Sequence, residues 1–181
     1  IHQEKALAEK LLHQIHSRGV ITDHQAEFFS KSLFVNSIEL NNLTSITDRQ
    51  AKLLSKVSRI EVNGLTSITE KQADLFSSCF WLELNSLTSL SDSQAESLSK
   101  VGNLIVEGLT SISNAQAESF SKTPALFLSG LTSITDQQAK SLSKVEELYL
   151  NGLTSITDKQ AESLSKVGNL KISEENLSIN C

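Results

Sequence analysis

The sequence predicts an α/β solenoid: short parallel strands along a concave inner side, short helices along the convex outer side, wound as a right-handed superhelix. Three observations predict it. The 181-residue chain repeats with a period of 22, because Leu43, Leu65, Leu87, Leu109, Leu131 and Leu153 each open an L-T-S-[IL] stretch without insertion. Each unit changes its hydrophobic period from two to that of a helix. The same helix-start signal marks the change every time.

The elements follow in chain order. Residues 1–19 read as a helix, with Leu7, Leu11 and Ile15 on one face and Gly19 as a stop. This helix is expected to cover the open end of the first coil. Ile21-Thr22-Asp23-His24-Gln25-Ala26 is a partial first copy, separated from the next by three extra residues. Residues 20–173 then make about seven coils. In each, a stretch such as Ile60-Glu61-Val62-Asn63 or Leu148-Tyr149-Leu150-Asn151 alternates as a short strand with one buried face. Residues such as Ile46, Ala51 and Leu54 then fall at helical spacing. Thr47-Asp48-Arg49-Gln50 is a capping box, in which the Thr hydroxyl accepts from the Gln50 amide and the Gln side chain reaches back. The box recurs at Thr22, Thr69, Ser91, Ser113, Thr135 and Thr157. Helices of roughly two to three turns are marginal alone, so stacking must supply their stability. The glycines at 64, 108, 130 and 152 occupy one repeat position and suggest a tight bend after the strand. Residues 174–181 form a tail or minimal cap, in which Leu177-Ser178-Ile179 can fold over the last coil. Failing that, two copies can meet end to end, with Cys181 near enough for an intermolecular disulfide; the folded tail and a monomer are favoured.

The averaged unit, L-x-L-x-x-L-T-S-I-T-D-x-Q-A-x-x-L-S-K-V-x-x, resembles leucine-rich repeat proteins, specifically bacterial ones with L-T-S-[IL]-[ST]-D-x-Q-A-E-x-L-[SA]-K units. The resemblance covers Val20 to Ser173. It implies a concave sheet used for binding proteins. One departure is that Leu43 and its equivalents stand where the common unit has Asn or Cys, so the usual buried Asn ladder is missing. Either the following Thr-Ser pair (Thr44-Ser45 onward) satisfies the backbone at the bend, or those hydroxyls are simply exposed.

Composition narrows the function. A net charge of −5 argues against nucleic-acid binding. No apolar run approaches a membrane span. The chain begins at Ile1 and contains no Met, so its N-terminus is expected to reflect processing or a chosen boundary, and a leader would not be visible. Localisation, bacterial cytoplasm or cell surface, is therefore not readable. Cys79 replaces a Val and reads as a small buried hydrophobe. His13 and His16, three apart on the first helix, read as solvated side chains rather than a metal pair. No serine has a His and an acid disposed to activate it. No catalytic residue, metal or cofactor is expected. Asn42-Leu43-Thr44 and Asn176-Leu177-Ser178 match a glycosylation sequon, which is without meaning in a bacterial cytoplasm.

Function is sought where the repeat varies, on the outward strand positions. The row before the first strand Leu reads Ser37, Arg59, Trp81, Asn103, Ala125, Glu147, Asn169. The middle row reads Glu39, Glu61, Glu83, Ile105, Phe127, Tyr149, Lys171, and the third Asn41, Asn63, Asn85, Glu107, Ser129, Asn151, Ser173. In the middle row an acidic ladder, Glu39-Glu61-Glu83, gives way to an apolar ladder, Ile105-Phe127-Tyr149. The single Trp and single Tyr both fall near this junction. Arg59 lies beside the middle carboxylate and is expected to relieve repulsion along the ladder. Outward aromatics either mark a docking surface or stabilise neighbouring strands. The leading expectation is a non-catalytic module that binds a protein partner through Trp81, Ile105, Phe127, Tyr149, Glu39, Glu61, Glu83 and Arg59. The alternative is a structural spacer or surface-display segment of a larger protein, associating through its ends.

Overall fold

The computed structural model describes residues 2–173, 175 and 177–180. Two helices, α1 (His2–Arg18) and α2 (Asp23–Lys31), precede the first strand, β1 (Ser37–Glu39). Then strand and helix alternate: α3 (Asp48–Leu54), β2 (Arg59–Glu61), α4 (Glu70–Phe76), β3 (Trp81–Glu83), α5 (Asp92–Leu98), β4 (Asn103–Ile105), α6 (Asn114–Phe120), β5 (Ala125–Phe127), α7 (Asp136–Leu142) and β6 (Glu147–Tyr149). The last coil holds β7 (Ser155–Thr157), α8 (Asp158–Leu164) and β8 (Asn169–Lys171), and the tail ends in β9 (Ser178–Asn180).

The strands form one parallel sheet in the order β1-β2-β3-β4-β5-β6-β8. Its register follows the 22-residue period, so that Ile38, Ile60, Leu82, Leu104, Leu126, Leu148 and Leu170 lie side by side. Those residues point inward from the sheet, and all but Leu170 are fully buried. Ala51, Ala73, Ala95, Ala117 and Ala139 bring the helices onto them with no accessible surface left, and Leu54, Phe76, Leu98, Phe120 and Leu142 fill the next layer. Cys79 is buried as expected, and burial pushes its thiol up to about 12. It is an unreactive core residue.

All seven capping boxes are formed, each with the hydroxyl accepting from the amide three residues on and the Gln side chain accepting from the cap amide. In six of them the Gln also does something the sequence did not disclose. Its Nε2 donates across to the preceding coil: Gln50 to the Ile21 carbonyl at 2.8 Å, Gln72 to Ile46 at 2.8 Å, Gln94 to Ile68 at 2.6 Å. Gln116, Gln138 and Gln160 continue to Leu90, Ile112 and Ile134 at 2.7, 2.7 and 2.8 Å. This glutamine ladder does the work of the missing Asn ladder. Most Thr-Ser pairs, such as Thr44-Ser45, Thr66-Ser67 and Thr88-Ser89, are exposed, but Thr154 Oγ1 donates to the Thr132 carbonyl of the preceding coil at 3.2 Å. Outside the ladder, Asp23–Arg49, Asp48–Lys71 and Asp136–Lys159 pair between adjacent coils at 3.0–3.1 Å. These pairs are solvent-exposed and add little stability.

Thr135→Ala should cost about 1 kcal/mol, because the Gln138 amide loses its acceptor at 3.1 Å and Asn114 Oδ1 loses a donor at 3.3 Å. Urea unfolding measures it; a loss of a few tenths would mean that the cap contributes nothing.

The glycines at 64, 108, 130 and 152 lie in the tight bend expected after the strand, where the Leu65 amide donates to the Val62 carbonyl at 3.1 Å and the Leu131 amide to the Leu128 carbonyl at 3.0 Å. Among the described residues only Gly19 has positive φ, at 65°, where it ends α1. A Cβ on Gly130 would instead sit 2.0 Å from the Glu107 carbonyl oxygen of the preceding coil. These glycines therefore also permit close approach of one coil to the next.

The ends differ. α1 lies across the first coil, with Ser32 Oγ donating to Glu4 near its start at 2.8 Å and Asn42 Nδ2 donating to the His16 carbonyl near its end at 2.9 Å. Ala8 and Ile15 are its buried contacts, whereas Leu7, expected on that face, is exposed. At the other end the tail strand β9 pairs in parallel with β7, not with β8. Among the described residues no strand pairs with the outer edge of β8. Cys181 and the sequon residue Asn176 lie outside the described residues.

Candidate functional site

The sheet presents its outward rows as the register requires, with Arg59 beside Trp81 and Glu61 beside Glu83. Arg59 organises the acidic half. Its Nε donates to Glu61 Oε1 at 3.0 Å and its Nη2 to Glu83 Oε1 at 2.9 Å, while the guanidinium lies 4.2 Å from the Trp81 ring centroid. Trp81 Nε1 donates to the same Glu83 oxygen at 2.8 Å. The side chains of Glu61 and Glu83 are only 13% and 14% exposed. The expected three-carboxylate ladder is therefore a clamped pair plus an exposed Glu39.

The apolar half is a platform of rings. Phe127 and Tyr149 stack at 3.9 Å between centroids with 11° between planes. Trp81 reaches across to Phe127 at 6.1 Å. Strand β4 lies between β3 and β5, so the Trp81–Phe127 contact closes over it. Ile105 is consequently only 5% exposed, as is Ala125. Ile105 is thus a buried support under the rings, a correction to the expected exposed ladder. Tyr149 Oη donates to Glu147 Oε1 at 2.8 Å, and this hydrogen bond is the main reason its hydroxyl is held above the ordinary tyrosine pKa. Asn169 Nδ2 donates to the same Glu147 oxygen at 2.8 Å.

The third row is structural on its first half. The side-chain oxygens of Asn41, Asn63 and Asn85 accept from the amides of Asn63, Asn85 and Glu107 at 3.2, 3.0 and 3.1 Å. The ladder ends there, and further along the row Ser129 Oγ is buried without a partner among the described residues.

Sequence reasoning missed a second feature. The rim position just before the first outward row reads Asn36, Ser58, Phe80, Gly102, Pro124, Glu146, Gly168. Phe80 is 66% exposed there. An open groove of about 610 Å³ runs along this rim past Gly102, Pro124 and Glu146, and shares Asn103, Ala125 and Glu147 with the concave face. Aligning one more row in the sequence would have exposed the odd Phe. Elsewhere, His13 and His16 are exposed, and His16 Nδ1 lies 2.9 Å from the Leu12 carbonyl. Among the described residues no three His, Cys, Asp or Glu side chains gather as metal ligands, and no helix is long and apolar enough to cross a membrane.

A parallel inner sheet, outer helices and a strict repeat define a leucine-rich repeat solenoid. Comparison with solved structures agrees. An internalin (inlF) from Listeria monocytogenes matches with a TM-score of 0.51 and 14% identity, over 97% of this chain and 63% of that one. Internalin C2 from the same organism matches with a TM-score of 0.51 and 13% identity, over 94% of this chain and 92% of its own. At such identities the likeness is one of fold. No family model and no curated protein matches the sequence.

Proposed function

We propose that this chain is a non-catalytic protein-binding module whose concave sheet docks a polypeptide partner. The observation that carries the reading is the ring platform of Trp81, Phe127 and Tyr149 on the outward strand rows, where the repeat is variable. Repeat solenoids generally offer their concave surface to partners, and aromatic residues dominate binding energy at such patches. In this reading Arg59, Glu61 and Glu83 fix the Trp81 ring, Ile105 supports the platform from below, and Glu39 lies on the rim of the contact. The helix of residues 1–19 caps the N-terminal end of a repeat segment spanning 20–173, and residues 174–181 follow that segment as a tail. Identical purifications with wild type, a Trp81/Phe127/Tyr149 triple alanine and a convex-face control (Lys52→Ala with Lys140→Ala) test it. A partner held by wild type and the control but not by the triple variant is expected. A partner retained by the triple variant would place binding elsewhere, and favour the alternative of a spacer that associates through its ends.

A further inference from the structure

The rim groove adjoins the outward rows of the concave face. Ala125 and Asn103 belong to both, and Glu147 stands at their shared border, bonded to Tyr149. Two features make the groove. Phe80 replaces the Asn, Ser, Gly, Pro and Glu of other coils, and its ring leans over Gly102: its Cδ2 lies 3.4 Å from where a Gly102 Cβ would be. The next rim residues, Gly102 and Pro124, raise no long side chain, so the floor stays low until Glu146. The result is a channel over the edge of the sheet with an aromatic wall at its Phe80 end and the Glu146 carboxylate further along, before Gly168 and Asn169.

The charge of this region is one-sided. The concave rows carry Glu39, Glu61, Glu83, Glu107 and Glu147 against only Arg59 and Lys171, and the groove adds Glu146 with no basic residue in its lining. Among the described residues Glu146 has no ion-pair partner, and Glu107 is exposed without one. Arg59 is already committed to Glu61 and Glu83. A carboxylate surplus around exposed rings suits a ligand that brings both cations and an apolar side chain.

We propose that the partner's contacting part is an extended cationic peptide segment: it lies on the ring platform, crosses the rim through the groove, sets an apolar side chain against Phe80 and places a Lys or Arg at Glu146. This rests on the concave-binding reading above and adds the route and chemistry of the occupant. An extended chain fits because the channel is open along its length and its floor is largely backbone.

The test uses a displayed library of random 12-residue peptides, selected on the wild-type protein. Enriched peptides should combine Lys or Arg with Phe, Leu or Trp, and their affinity should fall steeply with added salt. Two rim variants, Phe80→Ser and Glu146→Gln, should each weaken the selected peptides about tenfold or more. Both residues are exposed, and serine is what another coil carries at the Phe80 position, so the melting temperature should not move. Loss on Phe127→Ala and Tyr149→Ala with no change on the rim variants would leave concave binding standing and overturn the groove. Neutral or acidic winners, or no enrichment above an unselected pool, would overturn the cationic segment. Equal binding to the wild type, the rim variants and the ring variants would overturn both readings.

Discussion

Gln138→Ala is expected to destabilise the protein by about 3 kcal/mol. Its side chain serves two backbone groups at once. Oε1 accepts from the Thr135 amide at 2.8 Å, and Nε2 donates to the Ile112 carbonyl of the preceding coil at 2.7 Å, in a buried site. Alanine leaves both groups unpaired, each at about 1–3 kcal/mol where water cannot replace the bond. Gln138→Glu separates the two roles, because it keeps the cap acceptor and turns the donor into an oxygen facing a carbonyl. It should cost nearly as much as alanine. Urea unfolding of both variants beside Thr135→Ala decides the matter. A Gln138→Ala loss no greater than that of Thr135→Ala would mean that the bond between coils contributes nothing. A solenoid's stability is a sum of coil and interface terms, so the weakened interface should also broaden the transition.

Arg59→Ala is expected to cost about 2 kcal/mol. The substitution leaves Glu61 and Glu83 on adjacent strands, both largely shielded from water, with no cation between them. It also removes the cation from the face of Trp81. The guanidinium is itself 41% exposed, so solvent screening keeps the cost below that of a buried pair. Adding Glu83→Gln to the alanine variant should restore part of the loss. The double-mutant cycle therefore carries a clear coupling energy. Simple additivity of the two substitutions would show that the clamp is not an energetic unit.

Much of the fold was legible because the repeat writes the same solution several times. The cap hydroxyl, the Gln three residues on and the Leu positions have one physical explanation each, and all recur in phase. What the sequence concealed were second roles for residues already explained. Gln138 satisfied a capping box on paper, so nothing prompted a search for its Nε2 partner; that partner lies 26 residues back and is a backbone atom. The same holds for Gly130, whose second reason is a carbonyl on another coil. At the site, alternation placed Trp81, Phe127 and Tyr149 on the outward face. It could not show that rings from β3 and β5 meet over β4 and bury Ile105. Burial there depends on side-chain length across two strand spacings, which a row alignment does not contain. The Arg59 clamp was half visible, since adjacency to Glu61 followed from alternation along one strand but its reach to Glu83 and stacking on Trp81 did not.

The most direct test of the concave surface as the docking face is titration calorimetry of the purified partner against Phe127→Ala and Tyr149→Ala, with the melting temperature of each variant measured in the same buffer. Each substitution should weaken binding by about 1–2 kcal/mol, beyond the modest fall in melting temperature that follows from losing the ring packing over Ile105. Affinity that stays unchanged, or that falls only in step with the melting temperature, would show instead that the rings serve the scaffold.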